Sequence, residues 1–354
     1  MKPLLALLAL LAATPVEAAP VPSPIVIAHR GASGERPEHT LAAYERAIDH
    51  GADWIEPDLV PTKEGVLVAR HENEIGGTTD VADRPEFADR RSTKVIDGEE
   101  VTGWFTEDFT LAELRTLRAR ERLSDLRPAN TLFDGLYTIP TLDEIVALLR
   151  AKEAETGRRV GLIPEIKHPG YFAAQGYDLA SMLLERLDAS GFGAQDPVAI
   201  QSFELRPLCE LSARTEIPLV FLASARGSPA DLPQVTYEQM LQPAALPAIA
   251  RCADMLGVEI RLLLQADGSA SPIMQGAKAA GLPVHAWTLR AENAFLPEAL
   301  QRGDDPAAHG DAGALAAMLF DAGVAGLFAD QPALAVAARD LWLAGRQARR
   351  AARM

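Results

Sequence analysis

With 354 residues, 48% of them hydrophobic and 23% charged, the chain has the composition of a large folded domain, which excludes a disordered or fibrous protein. The 34 Lys and Arg stand against 49 Asp and Glu, and the resulting net charge of −15 repels phosphates and excludes nucleic acid as a partner. Two cysteines, Cys209 and Cys252, leave room for one bridge but not for a disulfide scaffold or a thiolate zinc site.

The chain opens with Met1-Lys2-Pro3, runs through an unbroken Leu/Ala stretch over 4–13, and reaches Thr14-Pro15-Val16-Glu17-Ala18-Ala19. A positive start, a short apolar run and small residues make 1–19 a secretory signal peptide, cleaved near Ala18 or Ala19, and place the mature protein in a bacterial periplasm or outside the cell. The run is short of the roughly 20 residues that span a bilayer, and no later stretch reaches that length, so no stable membrane insertion is expected.

Residues 20–354 then form one domain in which short β-rich runs alternate with helix patterns. Strands are read at Ile25–His29, Asp53–Asp58, Val160–Ile166, Pro197–Gln201, Ile217–Leu222, Asp254–Glu259, Pro283–Thr288 and Val324–Ala329. Helix patterns occupy His39–Asp49, Leu142–Lys152 and Tyr177–Ala189. Eight strands with intervening helices predict an α/β fold, the (β/α)₈ TIM barrel. Two segments exceed that minimum. Val66–His71 follows Asp53–Asp58 too closely for a crossover helix and reads as an antiparallel return strand, with a turn centred on Lys63-Glu64 that sets Glu56 opposite His71. Glu72–Ile139, with one helix pattern at Leu111–Arg120, reads as an insertion capping one face of the barrel.

Barrel chemistry gathers at the C-terminal ends of strands, and those ends carry His29-Arg30-Gly31, Glu56 with Asp58, His71, Glu165-Ile166-Lys167, Gln201-Ser202 and Trp287. Glu56 and Asp58, two apart on a strand, share a face, and Glu165 adds a third carboxylate. Three oxygen donors without thiolates suit a hard cation, Ca²⁺ or Mg²⁺. His29 and His71 beside that cation suit acid–base work, one taking a proton from an attacking hydroxyl and the other giving one to the leaving oxygen. Arg30 and Lys167 supply positive charge for phosphate oxygens, unless they pair with the same carboxylates. The combination describes a phosphodiester site.

The stretch Ile27-Ala28-His29-Arg30-Gly31-Ala32-Ser33-Gly34, then Arg36-Pro37-Glu38-His39-Thr40, then Glu56-Pro57-Asp58 through His71 resembles the glycerophosphodiester phosphodiesterase family. Pro164-Glu165-Ile166-Lys167, Gln201-Ser202-Phe203, Trp287-Thr288 and Gly326-Leu327-Phe328-Ala329-Asp330 extend the resemblance over nearly all of the mature chain. Glu38-His39-Thr40, the signal peptide and the insertion make it similar to the periplasmic, calcium-dependent branch. The resemblance implies hydrolysis of glycerophosphodiesters to sn-glycerol 3-phosphate and an alcohol, with the substrate's glycerol hydroxyl attacking phosphorus and water opening the resulting cyclic phosphate. It assigns His29 and His71 to catalysis, Glu56, Asp58 and Glu165 to Ca²⁺ (alternatively Mg²⁺), Arg30 and Lys167 to phosphate, Gln201 and Trp287 to substrate, and Glu38 to a supporting role. Glu72 stands after His71 where the family usually has Asp, and Pro57 between two ligands interrupts a ladder.

Two other readings compete. A phospholipase D-like enzyme acting on lysophospholipids would need an apolar path, which Trp104, Phe105 and Phe109 either line or simply fill as the insertion's own core. A phosphodiester-binding protein without catalysis would keep the cations and carboxylates but has no use for two histidines.

Overall fold

The computed structural model describes residues 23–352, so the expected signal segment lies outside the described residues. In chain order the strands are β1 (Ile25–His29), β2 (Trp54–Glu56), β3 (Asp58–Pro61), β4 (Leu67–Ala69), β5 (Ser92–Ile96), β6 (Glu99–Gly103), β7 (Gly161–Leu162), β8 (Glu165–Ile166), β9 (Ile200–Ser202), β10 (Leu219–Ala223), β11 (Met255–Glu259), β12 (Val284–Leu289) and β13 (Gly326–Ala329). Parallel ladders run from β1 to β2, β2 to β7 and β3 to β8, then in sequence through β9 to β13 and back to β1. Only Pro57 separates β2 from β3, and only Ile163-Pro164 separates β7 from β8. Each pair is therefore one barrel strand broken where proline has no N–H to give. Eight parallel strands thus form the expected TIM barrel. Ile27, Ile163, Ala199, Val220, Leu222 and Phe328, from strands around the ring, make one apolar cluster that plugs its interior, apart from the larger core beneath the helices.

Helix starts follow their capping residues. The Thr40 hydroxyl accepts from the Ala43 N–H, so the first helix spans Leu41–Asp49 and excludes His39. Thr141 and Glu144 form a capping box for Leu142–Thr156, and Asp178 caps Leu179–Ala189. No helix of the described residues is long and apolar enough to cross a membrane.

The return strand is present as β4, antiparallel to β3, but its register differs from the expected one. Leu59 lies opposite Ala69 and Pro61 opposite Leu67, one residue away from the pairing that would oppose Glu56 and His71. The cause is the turn. Thr62 pairs with Val66 around three residues, Lys63-Glu64-Gly65, with Gly65 at φ +81°, rather than around a two-residue centre. Glu56 instead lies beside His29 in the β1–β2 ladder.

Between β4 and the helix Leu142–Thr156, the chain forms the β5–β6 hairpin and several short helical turns. The helix expected over Leu111–Arg120 is a single turn, Leu111–Leu114, because the chain beyond it is drawn into backbone hydrogen bonds from Asp80 N–H to Arg118 and from Ala119 N–H to Tyr137.

Cys209 and Cys252 are joined by a disulfide that ties the helix Leu205–Ser212 to the segment after Leu246–Ile249. Replacing both cysteines with serine should lower the unfolding free energy by about 2–4 kcal/mol, because a loop of this length restricts the unfolded chain. Urea unfolding measures it, and a change below about 1 kcal/mol would show that the bridge contributes little.

Candidate active site

Two consecutive left-handed residues, Arg30 at φ +60° and Gly31 at φ +85°, turn the chain at the end of β1. Gly31 is required there, since a Cβ would lie 2.6 Å from the Ala43 carbonyl carbon. The turn aims the Arg30 backbone N–H at the Glu56 carboxylate (2.8 Å) and brings its guanidinium to Glu38 (3.1 Å) and Asp58 (3.3 Å). Lys167 Nζ lies 2.9 Å from Glu165 Oε1. Both expected phosphate cations therefore touch carboxylates, Lys167 one of the expected metal ligands and Arg30 another.

Glu56, Asp58 and Glu165 are buried, and one oxygen of each lies within 4.8 Å of the others. Burial, then Asp58, pushes Glu56 well above the usual carboxylate range. Burial likewise raises Glu165 to about 8, against Lys167. Asp58 goes the other way, because Lys167, a hydrogen bond from His39 and Arg30 outweigh its burial. Three buried carboxylates held this closely call for added positive charge, and an all-oxygen donor set fits a hard divalent cation. Gln201 Nε2 donates to Glu56 Oε1 (3.0 Å), while Gln201 Oε1 and Trp287 Nε1 are buried with no hydrogen-bond partner. Both residues line the cavity described next, which suits a polar occupant.

The cavity, about 70 Å³, is bordered by His29, Arg30, Glu56, His71, Glu165, Gln201 and Trp287. Most of the expected site residues thus meet on one space, while Asp58 stands behind it on Arg30 and Lys167 lines an adjoining chamber. Each imidazole is fixed through Nδ1, leaving Nε2 free. His29 Nδ1 lies 2.6 Å from Asp330 Oδ1, and His71 Nδ1 lies 2.8 Å from Glu72 Oε1. Glu72, despite its extra methylene, makes the contact expected of a shorter acid. Burial, then Arg30, lowers His29 to about 4 against the pull of Asp330, and burial with Arg30 and Lys167 lowers His71 as well.

A supporting layer escaped the sequence reading. His39, left-handed at φ +56°, bridges Tyr44 (2.7 Å) and Asp58 (2.9 Å) and so aims a proposed metal ligand. Asp330 is buried, yet Arg290 and Arg127 hold it well below the usual carboxylate range. Arg127 reaches it at 2.6 Å from the inserted segment and also binds Glu292. Glu72 continues to His168 (2.8 Å) and on to Asp97 at the tip of the β5–β6 hairpin (2.6 Å); those two acids outweigh burial and raise His168 to about 9. Arg122 joins Arg30 on Glu38. The insertion therefore contacts four loops around the site, those after β1, β8, β12 and β13. Its aromatic residues take no part in it: Phe105 and Phe109 are wholly buried in packing, and the Trp104 indole N–H is spent on the Phe87 carbonyl.

Residues 29–334 match the family model described as the glycerophosphoryl diester phosphodiesterase family. The chain belongs to this family. A glycerophosphodiester phosphodiesterase of Arabidopsis thaliana is 34% identical over 324 residues, covering 87% of this chain and 83% of that protein. One from Haemophilus influenzae is 28% identical over 305 residues, covering 77% and 80%. Among solved structures, a putative glycerophosphoryl diester phosphodiesterase from Silicibacter pomeroyi superposes with a TM-score of 0.65 at 19% identity, covering 91% of this chain and 95% of that one. An Oleispira antarctica phosphodiesterase in complex with the product sn-glycerol 3-phosphate gives a TM-score of 0.58 at 22% identity, covering 90% and 97%. These likenesses agree with the barrel of the glycerophosphodiester phosphodiesterase family.

Proposed function

We propose that this chain hydrolyses glycerophosphodiesters to sn-glycerol 3-phosphate and an alcohol, and that His29 and His71 carry the protons. The observation that carries the reading is a cluster of three buried carboxylates, two of which, Glu56 and Glu165, border the same cavity as the imidazoles of His29 and His71. Glu56, Asp58 and Glu165 would hold a divalent cation, Ca²⁺ before Mg²⁺, which supplies charge stabilisation to the phosphoryl oxygens. Arg30 and Lys167 add fixed positive charge beside them, and Trp287 offers its indole N–H to the glycerol side. One imidazole takes the proton of the attacking glycerol hydroxyl as its oxygen bonds to phosphorus. The other must enter the step protonated at Nε2, and gives that proton to the alcohol oxygen as the second P–O bond breaks. The roles reverse when water opens the cyclic phosphate, so no net proton stays on the enzyme.

Export of the mature protein is part of the proposal. It is supported by the sequence pattern of residues 1–19 and by the Cys209–Cys252 bridge, since disulfides persist in oxidising compartments. N-terminal sequencing of the secreted form should begin near residue 20.

The test is release of sn-glycerol 3-phosphate from glycerophosphocholine by purified protein, with chelator and then with Ca²⁺ or Mg²⁺ restored. Chelator-sensitive release rescued by one cation is expected. Well-folded protein that releases nothing under any metal would remove the hydrolase reading. Within that assay Glu56→Gln should raise the cation concentration giving half-maximal activity by about tenfold or more, since a ligand charge is lost. An unchanged titration would take Glu56 out of the ligand set.

A further inference from the structure

The catalytic cavity does not end at Glu165. Glu165 and the Phe203 ring also border a second chamber, of about 190 Å³, whose far wall holds Glu204 and Tyr237. At roughly 30 Å³ per water, that is the volume of about six waters, the size of a small alcohol head group. Glu204 in turn borders a groove of about 900 Å³ that opens to the surface. Trp287, Phe203 and Tyr237 form an aromatic line between the spaces, with ring centroids 5.6 and 6.2 Å apart.

The charges along this path are unbalanced in one direction. Lys167 and His168 face the chamber, but each is already paired, Lys167 with Glu165 and His168 with Glu72 and Asp97. Glu204 is 97% buried and makes no ion pair among the described residues; its side chain accepts only the Gly170 N–H, at 3.1 Å. Asp231, on the groove side, accepts the Arg206 backbone N–H with one oxygen, and its other oxygen is buried with no partner. Arg206 is the one basic side chain bordering the groove among the described residues, and it is exposed at the mouth. Burial, then the nearby Asp97 and Asp231, raises Glu204 to about 7, so a cation bound there would favour its charged form.

We infer that this chamber receives the departing alcohol of the diester, and that Glu204 and Asp231, with the Tyr237 ring, select alcohols bearing an ammonium group. A carboxylate supplies charge, and aromatic faces attract a primary or quaternary ammonium through their quadrupoles. A neutral polyol head group gains neither and leaves the buried acid unpaired. The inference rests on the hydrolase reading above and assigns its substrate class.

The test compares kcat/KM for glycerophosphocholine and glycerophosphoethanolamine with that for glycerophosphoglycerol, whose head group is neutral. Wild type should favour the two ammonium substrates by about tenfold, and Glu204→Gln should cut that ratio by a similar factor, because the carboxylate that pairs with the ammonium is lost. Asp231→Asn, less buried and safer for folding, should cut it about threefold, and the wild-type ratio should fall as salt is raised. Equal rates on all three substrates, or a ratio that survives both substitutions, overturns the head-group site alone. Cleavage of none of the three overturns the hydrolase reading and this site with it.

Discussion

Replacing His29 or His71 with alanine should lower kcat for sn-glycerol 3-phosphate release by about 10²–10⁴-fold, the usual contribution of a positioned proton carrier. Neither substitution should unfold the protein. Asp330 keeps Arg127 and Arg290, and Glu72 keeps His168, so neither acid is left without a partner. Circular dichroism and thermal melting check that point, and activity above a tenth of wild type in a folded variant would end the acid–base assignment. The pH profile gives a second reading. Burial and Arg30 lower His29 from 6.5 to about 4, so its neutral form persists well below pH 6.5. The acid limb of kcat/KM should therefore lie below that of a free imidazole. Stability has the same sign: the unfolded chain takes up the His29 proton near pH 6.5 and the folded chain only near 4, so the contribution is complete above 6.5 and is lost as pH falls towards 4.

The barrel and the carboxylates at its strand ends were legible because both depend on local pattern. Strand runs, the two-residue spacing of Glu56 and Asp58, and polar residues at strand ends are all visible within a few positions. Strand breaks at Pro57 and Pro164 follow from the absent N–H, and the first of them was readable in advance. The hairpin register was not, since a two-residue and a three-residue turn differ by one position, and the left-handed Gly65 decides between them. The supporting layer was hidden for another reason. His29 and Asp330 are 301 residues apart, and Arg127 and Asp330 are 203 apart, so neither contact has a local signature. Asp330 did carry one signal, as the acid that follows the last barrel strand. His39 carried another, lying two residues before a helix and so outside its core-facing pattern.

Asp330→Asn should be nearly as damaging as loss of His29 itself, lowering kcat by about 10²–10⁴-fold with little change in KM, as for other carboxylates that orient a catalytic imidazole. Asp330 does not border the cavity between His29 and His71, so substrate affinity has no direct dependence on it. Its effect runs through His29. As a carboxylate it accepts a hydrogen bond from Nδ1–H, keeps Nε2 free to act as a base, and stabilises the cation formed when a proton arrives. An asparagine amide can keep a hydrogen bond but carries no charge, and it leaves Arg127 and Arg290 beside the imidazole with less to offset them. Protonation of His29 then becomes harder, and the acid limb of the pH profile should move to still lower pH. Breaking a buried charge network also costs stability, about 3–5 kcal/mol for one missing partner, so thermal melting must accompany the kinetics. Arg127→Gln separates the two effects, because Arg290 still holds Asp330 at 2.9 Å and the imidazole contact survives. That variant should lose stability while retaining more of its kcat than Asp330→Asn. A folded Asp330→Asn enzyme with kcat within threefold of wild type and an unmoved pH profile would show that the contact is structural only. The geometry argues otherwise: Ala28 and Ala329 pair directly where β1 meets β13, so the closing of the barrel is what brings the imidazole and its carboxylate together.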